Sequence, residues 1–193
     1  MLLVHHGLFW RGESRRIGGR ERERLRVLFD ADLSLVAHHL PLDGHPSLGN
    51  NAVLCRLLEV ERPRPFAEHG GRRIGLLGRL ASPLAVEALA ARVAAVVGRE
   101  PLVFTHGPVR VRSLAVVSGA ASGDLLEAAD AGADCFLTGE PRESAMEQAR
   151  EARIHFIAAG HYATEVFGVR ALGDEIGRRF GVEHRFLHLP NPV

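Results

Sequence analysis

Residues 154–165 read Ile154-His155-Phe156-Ile157-Ala158-Ala159-Gly160-His161-Tyr162-Ala163-Thr164-Glu165. Residues 154–158 are a short apolar run with the length and composition of a buried strand. Ala159-Gly160 reads as a tight turn, and a helix is expected from about Tyr162 to Phe180. His161 and Glu165 lie four residues apart, so a helix puts both side chains on one face. The strand–turn–helix order places that face at the carboxyl edge of a sheet, where open α/β folds hold their ligands. Taken alone, a His/Glu pair at this spacing is also an ordinary surface pair.

Outward from this stretch, apolar runs alternate with helix-like segments, which predicts α/β layering. Upstream of it, the pattern predicts a helix over 141–152, a buried strand over 134–137, a helix over 124–131, and strands over 111–117 and 101–105. Ser82-Pro83 is expected to open a helix running to Val97, with serine as N-cap and proline in the first turn. A strand over 72–80 precedes it. Residues 61–71, with Pro63, Pro65 and Gly70-Gly71, are the best candidate for a linker. Further towards the start come a short helix over 52–59, a strand over 33–37, and a strand end over 2–4. A charged stretch from Gly18 leads into a helix of about ten residues, with Leu25, Val27, Leu28 and Phe29 as its apolar side.

The 193 residues are 46% hydrophobic and 24% charged, enough for one core or two small lobes and unlike a disordered or disulfide-scaffold chain. Net charge is +1, so no global field calls for nucleic acid or a membrane surface. All 24 basic residues are Arg, which excludes any mechanism that needs a catalytic lysine. No apolar run reaches spanning length and no signal-peptide pattern opens the chain, which leads us to expect a cytoplasmic protein. Cys55 and Cys135 lie far apart with no CxxC, as expected for reduced, packed thiols.

Eleven histidines are the unusual entry in the composition. His5-His6 ends the first strand, and the two rings converge only if the strand stops there, a break that Gly7 permits. His38-His39-Leu40-Pro41-Leu42-Asp43-Gly44-His45-Pro46 follows the second strand, and its proline-fixed backbone aims Asp43, which is otherwise a turn residue. With His161 and Glu165, these clusters supply nitrogen and oxygen donors suited to Zn, Mn or Fe. Five protein ligands are many for one ion that keeps a water, and they suit two ions. Two other features carry open readings. Residues 116–124, Val116-Val117-Ser118-Gly119-Ala120-Ala121-Ser122-Gly123-Asp124, are either a phosphate cradle or a plain tight turn. The stretch 11–26, with seven Arg and three Glu, either steers an anionic substrate or is a solvated helix face.

Several of these stretches also resemble one family. Leu3-Val4-His5-His6-Gly7-Leu8-Phe9-Trp10, then His39-Leu40-Pro41-Leu42-Asp43 with His45-Pro46 and Leu48-Gly49-Asn50-Asn51, then Gly160-His161-Tyr162-Ala163-Thr164-Glu165 are similar to signature motifs of the Nif-three-like dinuclear-metal-centre family. Its members carry the name GTP cyclohydrolase I type 2 homologue. Phe136-Leu137-Thr138-Gly139-Glu140 resembles a fourth segment, and the similarity extends from the first residue to about Leu172. The resemblance implies one family domain over 1–193 with a two-lobed α/β fold, mixed sheets flanked by helices, and two divalent ions between the lobes. It implies His5, His6, Asp43, His161 and Glu165 as ligands, with Glu165 as bridge, and a homohexamer built as a trimer of dimers. His39 and His45 are the expected proton-handling or water-orienting groups. The implied activity is metal-dependent hydrolysis of a nucleotide-like or phosphorylated substrate; the alternative is a non-catalytic ring for metal storage, delivery or regulation. Family members carry an N-terminal segment ahead of the paired histidines, so upstream sequence is expected to be missing here, in keeping with the stunted first strand.

Overall fold

Strand β1 (Leu2–Val4) and strand β2 (Leu35–Ala37) pair in parallel, Leu2 opposite Leu35 and Val4 opposite Ala37, with helix α1 (Gly19–Asp30) in the connection between them. A parallel pair needs such a crossover, which explains why the charged stretch folds as a helix here. The computed structural model describes residues 1–10, 12 and 16–193; Arg11, Glu13 and Arg15 of the arginine-rich stretch lie outside the described residues. The described chain divides into two compact units, 1–39 and 40–193. In the first, Leu25 and Leu28 of α1 are half-buried, but Val27 and Phe29 are 60% and 76% exposed. The expected four-residue apolar side is therefore only half realised, because two three-residue strands offer too little surface to cover it. Arg26 of the same helix pairs with Glu23 at 2.8 Å and Asp30 at 3.6 Å, as on an ordinary solvated helix face.

The second unit contains a six-stranded sheet in the order β3-β4-β6-β7-β8-β5. Its strands are β3 (Val60–His69), β4 (Arg72–Leu84), β5 (Leu102–Phe104), β6 (Val111–Val116), β7 (Cys135–Thr138) and β8 (His155–Ala158). The three central strands, β6, β7 and β8, run parallel, and the outer strands join them antiparallel. Alternation along these strands sorts the side chains into two cores. Leu114, Val116, Cys135, Leu137 and Ile157 pack with Val53, Leu54 and Leu58, with Val86, Leu89 and Val93, and with Phe167. These partners come from, or directly flank, helices α3 (Asn50–Leu57), α4 (Val86–Val97) and α7 (His161–Phe180). Ala115, Val117, Phe136, Phe156 and Ala158 belong to the other core, which takes in Leu125 and Ala128 of α5 (Leu125–Asp130) and Ala145 and Ala149 of α6 (Ala145–Glu151). Strands buried on both faces read as continuous apolar runs, which is why they are legible in the sequence. The architecture is α/β, with helices flanking a mixed six-stranded sheet and a small parallel pair.

Three element readings need correction. Residues 61–71 are not a linker: they form most of β3, which pairs with β4, and the turn between them. Pro63 and Pro65 are tolerated because β3 is an edge strand, and the register shifts between Glu61 and Arg64. Ser82-Pro83 does not open a helix. Strand β4 continues through it to Leu84, which pairs with Val111, and α4 starts at Val86 after an extended Ala85. A residue before proline avoids helical dihedrals, so Ser82 favours the strand. Helix α6 starts four residues later than expected: Glu143 and Ser144 form a turn closed by Ala145 N–H on the Arg142 carbonyl (3.0 Å), and the Arg142 N–H donates to Ser122 Oγ at 3.0 Å. Cys55 and Cys135 are both free and buried; burial pushes the Cys55 thiol up to about 12 and raises Cys135 as well.

Candidate metal centre

The carboxyl ends of β6, β7 and β8 open into the turns Ser118-Gly119, Gly139-Glu140 and Ala159-Gly160, at one edge of the parallel centre of the sheet. Backbone bonds tie these turns together. The Gly119 carbonyl accepts from the N–H groups of Gly139 (2.9 Å) and Glu140 (3.1 Å), and the Gly139 carbonyl accepts from Gly160 N–H (2.8 Å). A side chain on Gly139 would put Cβ 2.7 Å from the Gly119 carbonyl oxygen and 2.8 Å from His161 Cα, so only glycine permits this approach. Helix α7 begins at His161, and Thr164 in its first turn accepts Gly119 N–H at 3.0 Å and donates back to the Gly160 carbonyl.

His161 and Glu165 share one face, as their spacing demands, with His161 Nε2 2.9 Å from Glu165 Oε2. His161 Nδ1 meets the Glu140 carboxylate. The hydrogen bond to Glu165 is the main reason the His161 pKa is raised to about 9. Burial opposes it, and the Glu165 charge and the bond and charge of Glu140 add to it. Gly119 sits against this pair at φ +70°, where a Cβ would fall 2.2 Å from Glu165 Oε1.

Asp43, the last residue of the four-residue helix α2 (Leu40–Asp43), is buried. Its Oδ1 accepts from Asn50 Nδ2 (2.7 Å) and from the Ser118 hydroxyl (3.2 Å). Asn50 in turn accepts the Gly168 N–H of α7 at 2.6 Å. Next to it, Asn51 accepts Ser118 N–H (2.8 Å) and donates to the Ile74 carbonyl (2.8 Å). One fully buried Asn-Asn pair therefore fixes both Asp43 and the Ser118 turn. The phosphate-cradle reading of residues 116–124 gives way here. The amides of Ser118, Gly119 and Ala121 are bonded to Asn51, Thr164 and Thr138, so the segment is a structural turn.

In the first unit, β1 ends at Val4, the condition under which neighbouring imidazoles converge. His5 is buried, and the rings of His5, His6 and His39 lie 4.9–5.1 Å apart, centre to centre. Each offers a ring nitrogen within 4.8 Å of the others. Trp10 stands edge-on to His6 (5.3 Å) and His39 (5.2 Å), walling that side of the trio.

Each unit thus gathers its share of the expected residues: His5 and His6 with His39 in one, Asp43, His161 and Glu165 around a single turn in the other. His45 has a local task, its Nδ1 accepting the N–H groups of Leu48 (3.0 Å) and Ser47 (3.3 Å). Residues not singled out in advance are Ser118 and Asn50, which hold Asp43, Thr164, which ties Gly119 to the start of α7, and Glu140, which touches His161. The sequence signals for Ser118 and Glu140 were the strand-end turns, visible as Ser-Gly and Thr-Gly-Glu.

A sequence profile of Duf34/NIF3 (NGG1p interacting factor 3) matches residues 1–192. The chain belongs to the Duf34/NIF3 family. A relative from Pseudomonas aeruginosa, named GTP cyclohydrolase 1 type 2 homolog, is 47% identical over the whole of this chain and 76% of its own length. Among solved structures, one described as protein ybgI, of unknown function, superposes with a TM-score of 0.90 at 40% identity. It is matched over 99% of this chain and 76% of its own. A protein from Thermus thermophilus gives 0.88 at 38% identity, over 99% and 75%. The NIF3 membership bears out the resemblance read from the histidine motifs, and these structures share its α/β fold.

Proposed function

We propose that this NIF3-family chain holds two divalent ions with His5, His6, Asp43, His161 and Glu165 and hydrolyses a nucleotide-like or phosphorylated substrate. The observation that carries the reading is the donor set. Three imidazoles offer nitrogens within 4.8 Å in one unit, and two near-buried carboxylates with one imidazole flank a single turn in the other. Mixed nitrogen and carboxylate donors fit Zn, Mn or Fe, and Gly119, having no side chain, leaves the Glu165 carboxylate its place beside His161. Such a pair of ions, when bound, supplies an activated water and polarises a phosphoryl or carbonyl oxygen.

The chain's own part is positioning and proton handling. Asn50 and Ser118 hold Asp43 in one orientation, and α7 presents His161 and Glu165 together. His39, beside His5 and His6 and walled by Trp10, is placed to orient water or to move a proton at a ring nitrogen. The turn bonds of His45 Nδ1 leave only its Nε2 for that role.

Turnover of nucleoside phosphates and phosphorylated small molecules, with Zn, Mn or Fe supplied, tests the activity. Metal-dependent release of product by the wild type, lost in Glu165→Ala, is the expected result. A folded, metal-loaded protein without turnover would overturn the hydrolase reading and favour metal storage or delivery.

A further inference from the structure

We infer that Glu140 is the positioning residue for His161: its carboxylate accepts the hydrogen bond of Nδ1–H and so makes Nε2 the ring nitrogen that would ligate the metal. The inference rests on the proposed metal centre. Glu140 leaves the end of β7 through Gly139, which only glycine allows, and its own N–H is fixed on the Gly119 carbonyl at 3.1 Å. Its carboxylate reaches His161 Nδ1, while the opposite ring nitrogen faces Glu165. An imidazole has two ring nitrogens, and a ligand nitrogen must be unprotonated. A carboxylate on Nδ1 selects the tautomer with Nε2 free and raises the basicity of that nitrogen. The contact spans 21 residues and joins two strand-end turns, so it is set by the sheet and not by a local side-chain preference. The ring is thus held from both sides, by Glu140 at Nδ1 and by its place in the first turn of α7.

The test is divalent-ion binding to the full chain, read by competition with a chromogenic chelator. Wild type is compared with Glu140→Gln, Glu140→Asp and His161→Ala. Partners of this kind typically contribute about 10–100-fold in metal affinity. Glu140→Gln keeps the side-chain shape but lacks the charge, and should weaken binding by about that factor while the metal-free protein still unfolds in one cooperative transition. Glu140→Asp, which restores the carboxylate on a shorter stem, should recover part of the loss; a merely structural contact would not rank the variants by charge. Glu140→Gln binding as tightly as a metal-binding wild type overturns the inference alone. A wild type that takes up no divalent ion overturns the metal centre, and this inference with it.

Discussion

Gly119 carries the tightest steric condition in the molecule's candidate site. At φ +70°, with a Cβ position 2.2 Å from Glu165 Oε1, Gly119→Ala is strained by its backbone and displaces the carboxylate. Left-handed dihedrals cost an L-residue about 1–2 kcal/mol, so denaturant unfolding should show at least that loss, accompanied by weaker metal uptake. Asn50 is the complementary case. Asn50→Ala leaves a buried Gly168 N–H and removes a donor from Asp43. An unsatisfied buried group costs about 1–3 kcal/mol, and a melting temperature equal to wild type would contradict the role given to Asn50. His161 sets a pH dependence. Its pKa in the folded chain stands at about 9 against an ordinary 6.5, so the folded state binds this proton more tightly than the unfolded one. That stabilisation is complete below about pH 6.5 and is lost as the pH rises through about 9. Thermal unfolding of metal-free protein should therefore show a melting temperature that falls over this window, and His161→Gln should flatten the fall. An equal slope in both proteins would count against the Glu140–His161–Glu165 contacts.

The elements differ in how openly the sequence announces them. The parallel strands β6, β7 and β8 are buried on both faces, so their apolar runs stand out, and α7 follows from the turn at Ala159-Gly160. Strand β3 was hidden because Pro63, Pro65 and two adjacent glycines imitate a linker, and only its pairing with β4 shows that an edge strand accepts prolines on its open side. Ser82-Pro83 likewise mimics a helix start, since the N-cap pattern says nothing about a neighbouring strand that continues the pairing to Leu84. Of the candidate site, His5, His6, Asp43, His161 and Glu165 stand out in the sequence by composition, spacing and resemblance. Ser118, Asn50 and Glu140 do not, because their importance lies in contacts that reach across the chain, 21 residues from Glu140 to His161 and 75 from Asp43 to Ser118. The central strands also yield a direct stability test. Leu114 of β6 is completely buried in the core shared with α4 and α7. Leu114→Ala should cost about 2–5 kcal/mol, read as a shift in the denaturant midpoint; a shift below that range would mean that the core closes over the lost volume.

At the scale of the whole chain, two separately packed units each carry part of the proposed donor set, His5 and His6 beside His39 in one and Asp43, His161 and Glu165 in the other. Neither part alone makes up the five donors proposed for two ions. Among the described residues, no helix is long and apolar enough to cross a membrane. The central claim is the dinuclear centre, and metal content tests it most directly. Elemental analysis of the purified chain, as wild type and as His161→Ala, should find about two transition-metal ions per chain, falling sharply in the variant. Folded wild-type protein that carries no metal after incubation with Zn, Mn or Fe would contradict it.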